Sequence, residues 1–155
     1  MDSVLNDLGG DEEVEEVEKD KYLTFSIDEE LYGIDIKYVI EIVGTLNITI
    51  IHDYPDFAKG VINLRGEIIP IIDLRTAFKK PEVEFTAKTC FIIITIHDNK
   101  YGFIVDFVSE VTDFGENSVI DMPTISDNYV NKFTIGVAKS GDDIIAILDP
   151  AKVIN

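Results

Sequence analysis

The chain has 155 residues, 46% of them apolar, a single cysteine and a formal net charge of −17. That length allows one domain of ordinary size, or two small halves with a common core, and the core needs no disulfide staple. A surface this acidic repels phosphate backbones and anionic headgroups, so nucleic acid is excluded as a partner.

Met1-Asp2-Ser3-Val4-Leu5 carries no basic segment and no cleavable apolar stretch. No apolar run approaches the roughly 18 residues that a membrane helix needs. The expectation is a cytoplasmic protein without direct membrane insertion.

Residues 1–20 hold nine acids against one base, Lys19, with Gly9-Gly10 in between. Such a segment buries too little apolar surface to fold, so an acidic disordered tail is expected. The alternative is a short docking helix using Val4, Leu5 and Leu8.

From Tyr22 the pattern becomes β. Leu23, Phe25 and Ile27 alternate on one face, Asp28-Glu29-Glu30 turns, and Leu31-Tyr32-Gly33-Ile34 returns. Asp35 to Tyr38 predicts a helical turn before the strand Val39–Val43. Strands follow at Gly60–Leu64 and Glu67–Ile72, joined at Arg65-Gly66. Pro70 inside the second run predicts an edge or a bulge, because proline donates nothing to a ladder. Asp73 is suited to cap a short helix from Leu74 to Lys79, which Pro81 forbids from continuing.

The second part repeats this order. A strand is predicted from Lys88 to Ile96, a turn at Asp98-Asn99, and returning strands at Tyr101–Val105 and Phe107–Thr112. Phe133–Ala138 and Asp143–Leu148 form a last hairpin through Ser140-Gly141. Asp149-Pro150 opens a final helix, with proline suited to its first turn.

The repetition is a duplication. Tyr32, Val39, Glu41 and Ile42 recur as Tyr101, Val108, Glu110 and Val111, each 69 residues later. Gly60-Val61 with Asp73 recurs as Gly136-Val137 with Asp149, each 76 later. Halves at roughly 21–85 and 86–155 are too small to be stable separately. They should share one core, with strands exchanged between them.

Reactive groups do not converge. His52 and His97 stand apart from any metal-spaced set, no serine sits in a nucleophile elbow, and no glycine-rich phosphate loop appears. Cys90 lies in an apolar run and reads as a core thiol. Neither catalysis nor a cofactor is expected. What remains is interaction surface. The chain has two arginines, Arg65 and Arg75. Arg65 stands in Asn63-Leu64-Arg65-Gly66, at a hairpin tip. It fits a planar contact with a partner's carboxylates, or equally a local ion pair with Glu67 or Glu41. Ile36, Val39 and Ile42, beside Asp35 and Glu41, form a second feature. A groove between the two halves would suit an amphipathic helix.

Two blocks carry a resemblance: Phe25…Tyr32-Gly33-Ile34-Asp35-Ile36…Val39…Glu41-Ile42, and Lys59-Gly60-Val61-Ile62-Asn63-Leu64-Arg65-Gly66-Glu67-Ile68-Ile69-Pro70-Ile71-Ile72-Asp73-Leu74-Arg75. Both resemble the CheW family, and the likeness runs from about Tyr22 to the end. It implies an all-β fold of two intertwined five-stranded SH3-like barrels with short helices. It also implies a non-catalytic adaptor of a two-component system, coupling methyl-accepting chemoreceptors to the histidine kinase CheA through that kinase's regulatory domain. The receptor's cytoplasmic helical tip would bind between the barrels, and the adaptor would be recruited to receptor arrays at the inner face of the membrane. By resemblance Arg65, Glu41 and Val39 fall at receptor-coupling positions, Asn63 and Gly66 share the motif, and Ile36 lies beside them. The kinase-facing residues are not assigned. Two other readings stay open. A CheV-type receiver fusion needs a further domain after Asn155, and a ligand-binding or enzymatic barrel needs a polar pocket.

Overall fold

A computed structural model describes residues 21–52, 58–114, 119–120 and 132–154. The acidic segment 1–20, with its docking-helix alternative, lies outside them. Among the described residues the named elements are, in order, β1 Lys21–Ile27, β2 Glu30–Asp35, a 3-10 turn Ile36–Tyr38, β3 Val39–Gly44, β4 Gly60–Leu64, β5 Glu67–Asp73, α1 Leu74–Ala77, β6 Cys90–Ile96, β7 Asn99–Val105, β8 Phe107–Asp113, β9 Val119–Ile120, β10 Thr134–Ser140, β11 Asp143–Leu148 and α2 Pro150–Ile154.

The strands form two sheets, in the orders β8-β1-β2-β11-β10-β9 and β3-β6-β7-β5-β4. Pairing crosses the middle of the chain. The β1–β2 hairpin lies between β8 and β11, and the β6–β7 hairpin lies between β3 and β5. The two joins are parallel and alike: Gly33 lies opposite Ile147, and Gly102 lies opposite Ile71. A Cβ at Gly102 would come within 2.5 Å of Ile71 Cδ1, so glycine lets the hairpin seat.

Both sheets are curled. Ile62, Ile69, Ile71, Phe91, Ile93 and Ile104 cluster inside the five-stranded sheet, with Val43 against them, so all five strands reach one small core. Tyr22, Ala138, Ile145 and Ile147 fill the other sheet. A larger cluster lies between the sheets and draws on both halves, including Phe25, Tyr32, Ile72, Ile92, Phe103 and Leu148. Stacked and tilted rings cross it from Phe25 to Tyr32, Phe78 and Phe133, with centroids 5.9, 5.1 and 5.8 Å apart. Ring pairs of this kind contribute about 0.5–1.5 kcal/mol each beyond their burial.

Four expectations need correction. The first sheet has six strands, not five, because β9 adds Val119 and Ile120 beside β10. Pro70 is not on an edge strand, since β5 lies between β4 and β7. It is tolerated because Val61, opposite it, turns its own N–H and C=O to Thr49, and the parallel ladder to β7 starts only at Ile71. The helix after Asp73 stops at Ala77. Lys79 takes a left-handed φ of 60°, Lys80 N–H donates to Arg75 O and Lys79 N–H to Thr76 O, which closes the helix as a Schellman motif. Two hairpin turns are displaced by one residue: the β6–β7 turn is His97-Asp98, because Ile96 pairs with Asn99, and the β10–β11 turn is Gly141-Asp142, not Ser140-Gly141, because Ser140 pairs with Asp143.

Candidate functional site

β4 and β5 pair from Gly60↔Ile71 to Leu64↔Glu67, which leaves Arg65 and Gly66 as a two-residue turn. Both have positive φ, 52° and 87°, the type I′ geometry that matches strand twist. Gly66 takes this conformation freely, whereas Arg65 must be held there. Asn63 Oδ1 accepts the Gly66 N–H at 2.8 Å and fixes the turn.

Arg65 also crosses the seam of the sheet. β3 and β4 are its two edge strands, and the Arg65 guanidinium on one side meets the Glu41 carboxylate on the other. This contact joins the first and last strands of the rolled sheet. Of the two local partners considered for Arg65, Glu41 is the one engaged. Glu67 is bonded instead by Lys100 at 2.9 Å. The Arg65 side chain remains 67% exposed. An ion pair this wet contributes only about 0–1 kcal/mol to stability, so its main effect is to aim the guanidinium.

The neighbouring residues differ in exposure. Along β3, Ile40 and Ile42 are exposed, while Val39, Glu41 and Val43 are half-buried, and a bulge between Val39 and Glu41 turns Val39 away from the face of Glu41 and Val43. Val39 and Ile36 rest against the core between the sheets, and Val43 against the core of the five-stranded sheet. Arg65, Glu41, Asn63 and Gly66 are thus brought together. Ile36 and Val39, half-buried against the core between the sheets, are not brought into that group. Ile40 and Ile68, both exposed, were not singled out by sequence reasoning. Ile68 stands opposite Asn63, and the β4–β5 register was the signal that would have found it.

The second arginine has the opposite setting. Arg75 is 10% exposed and reaches Asp106 through Nε at 3.1 Å and Nη2 at 2.6 Å. Nη1 donates to Pro81 O at 3.0 Å. Burial works to raise the Asp106 carboxyl, but the Arg75 hydrogen bonds, the Asp28 N–H and the Arg75 charge outweigh it and hold it below the ordinary value. Nearby, burial pushes the Asp73 carboxyl up, against the Arg75 N–H and Lys59. Burial also pushes up the half-buried Cys90 thiol, as befits a residue at the edge of the core. Among the described residues no group of three or more His, Cys, Asp or Glu is placed to hold a metal, and no helix is long and apolar enough to cross a membrane.

The CheW-like domain family matches residues 21–155. This chain belongs to the CheW family. It is 34% identical over 135 residues to the chemotaxis protein CheW of Klebsiella aerogenes, covering 87% of this chain and 81% of that one. It is 32% identical over 142 residues to CheW of Treponema pallidum, covering 89% and 84%. The crystal structure of the scaffolding protein TtCheW from Thermoanaerobacter tengcongensis matches with a TM-score of 0.77 and 41% identity, over 84% of this chain and 88% of that one. A stretch of 143 residues is also 30% identical to part of the sensor histidine kinase CheAY of Helicobacter pylori, 16% of that protein. Like its family, this CheW-type chain is a non-catalytic adaptor of chemotaxis signalling, with an all-β SH3-like fold.

Proposed function

We propose that this adaptor holds two partners in fixed geometry: the cytoplasmic helical tip of a chemoreceptor and the regulatory domain of the kinase CheA. The receptor is read by the surface that presents Arg65, Glu41, Asn63 and Gly66, with Val39 and Ile36 half-buried against the core between the sheets. The observation that carries this reading is Arg65 itself. It is the one arginine left largely exposed, on a turn held by Asn63 and aimed by Glu41. A guanidinium so placed forms planar, multidentate bonds to a helical tip's carboxylates or carbonyls.

The kinase partner is supported by the likeness to part of CheAY, since a kinase that carries a domain of similar build can stack with the adaptor in alternation. Individual contacts are moderate, and repetition in an array at the inner face of the membrane supplies avidity. The protein works in the cytoplasm, where receptor tips and kinase meet.

Calorimetric titration tests this reading. The full chain is titrated with a CheA regulatory domain, with and without a receptor cytoplasmic fragment. Binding to each and a ternary complex are expected. Arg65→Glu places a third carboxylate beside Glu41 and Glu67. It should weaken receptor binding at least tenfold, or about 1.4 kcal/mol, and leave kinase binding unchanged. Receptor binding unaltered by Arg65→Glu would remove Arg65 from the interface, and binding to neither partner would overturn the reading.

A further inference from the structure

The five-stranded sheet is built entirely from residues 39–105, whereas the six-stranded sheet needs β1–β2 from one end of the chain and β8–β11 from the other. The chain passes from one sheet to the other at two places. Between β2 and β3 it uses the 3-10 turn Ile36–Tyr38, capped by Asp35, with Ile36 and Tyr38 against the shared core. Between β7 and β8 it uses a single residue, Asp106.

Asp106 is held through both its backbone and its side chain. Its N–H donates to Ser26 O at 3.1 Å, and its carboxylate accepts the Asp28 N–H at 2.8 Å. The same carboxylate takes both Arg75 bonds, and Arg75 Nη2 lies 3.8 Å from the Asp28 carboxylate. Lys80, next to the end of α1, pairs with Glu30 and lies 3.7 Å from Asp28. This ionic clasp therefore ties three things together: the β1–β2 turn, the β7–β8 corner and the helix that ends the first half. The duplication does not reproduce it. The positions equivalent to Asp106, Arg75 and Asp28 are Lys37, Ala151 and His97.

We propose that the Arg75–Asp106 clasp is a latch that commits β1–β2 to the β8–β11 segment of its own chain, and that releasing it lets two copies trade these segments into a swapped dimer. Every β1–β8 pair, from Lys21↔Asp113 to Ser26↔Phe107, and the parallel β2–β11 join can be remade between two chains. So can the core between the sheets. Only the corner changes, which is the condition under which swapping costs least. A one-residue connection has no slack, so the bend at Asp106 persists only while its contacts hold it. Without Arg75 the carboxylates of Asp28 and Asp106 lose the charge that joins them, and straightening the corner separates them.

Light scattering after size exclusion tests this on the full chain, refolded from urea at rising protein concentration. Wild type should stay monomeric, and Arg75→Met should raise the dimer fraction at least tenfold at equal concentration. Lys21→Cys with Asp113→Cys, in a Cys90→Ser background, reports the exchange, because facing residues of an antiparallel pair are close enough for a disulfide. Oxidation should link the cysteines within one chain when Arg75 is present and between chains in Arg75→Met. A monomeric Arg75→Met, or a dimer linked only within its chains, would overturn the proposal. Circular dichroism checks folding, and Asp106→Asn carries the same expectations if Arg75→Met does not fold. Loss of fold in both would also overturn it, by making the clasp a requirement of the fold itself.

Discussion

At the end of β4 the chain turns through Arg65 and Gly66; at the end of β10 it turns through Gly141 and Asp142. The flanking strands are equivalent. Gly60 opens β4 against Thr49, and Gly136, near the start of β10, lies against Ile120; a Cβ at either glycine would sit 2.4 or 2.3 Å from a backbone oxygen. Ile68 and Ile144 point outward at the same place on β5 and β11. Only the tips differ. The first holds an arginine at positive φ, tied back to Asn63 and Glu41, while in the second Gly141 alone takes positive φ, at 61°. Duplication thus copied the frame, and an exposed arginine stands on only one of the two tips.

The most damaging test of a common frame is Phe103→Ala. Phe103 is fully buried in the core between the sheets, as is Ile34 at the equivalent position. A loss of about 3–5 kcal/mol is expected. Urea unfolding should remain a single transition, and two separated transitions would show that the sheets fold independently.

Gly60→Ala and Gly136→Ala compare the two copies directly. Each forces a methyl into a backbone oxygen, and the neighbouring strand must move. Losses of about 1–3 kcal/mol, equal within error, are expected from thermal melts. A large inequality would mean that the two frames are not equivalent.

Acid distinguishes the halves by charge. Asp106 is held low by Arg75 and the Asp28 N–H, with the Asp28 carboxylate beside Arg75 and Lys80 beyond it, paired to Asp28 and Glu30. Its stabilisation is complete above the ordinary carboxylate value of about 3.9 and fades as pH falls through its own lower value. Asp73, facing Lys59, Glu82 and Arg75, is raised, so its ionisation opposes folding above its own value and that opposition is relieved as pH falls. Urea midpoints followed downward in pH should show this small relief first and the Asp106 loss afterwards. The later loss should be smaller in Arg75→Met.

The smallest stability effects belong to the tips. Arg65→Glu should lower stability by no more than about 1 kcal/mol and Asp142→Arg by no more than about 0.5 kcal/mol, because both residues are exposed in turns and only the first loses an ion pair. Their consequences for receptor binding should diverge, with a large loss for the first and none for the second, as read by titration.

Much of this was legible in the chain. Alternation in Leu23, Phe25 and Ile27 gave β1, and all three are buried. Asp73 and Asp149 were readable as caps, and each accepts an N–H two residues on, at 2.9 and 3.1 Å. Repeated Tyr-Gly and Gly-Val spacing announced the duplication. The resemblance placed Arg65 and Glu41 in one site, although composition alone left Glu41 and Glu67 equal as partners. Val39 and Ile42 were grouped together, and the bulge between Val39 and Glu41 keeps both on the face that Ile94 and Ile92 share, yet Val39 is half-buried there and Ile42 is exposed.

Local pattern determined the strands, turns, caps and the two-fold repetition, because these depend on side-chain alternation and on backbone conformations that few residues tolerate. Tertiary structure decided what distance along the chain hides. It curled β3 round to β4, which brought Glu41 within reach of Arg65 and left Lys100 to Glu67. It also seated each hairpin in the opposite sheet, and so set the two arginines apart: one projects from a seam into water, and the other is enclosed where the chain crosses between sheets. Both are arginines beside acidic residues in sequence, and only packing determines which charge a partner can reach.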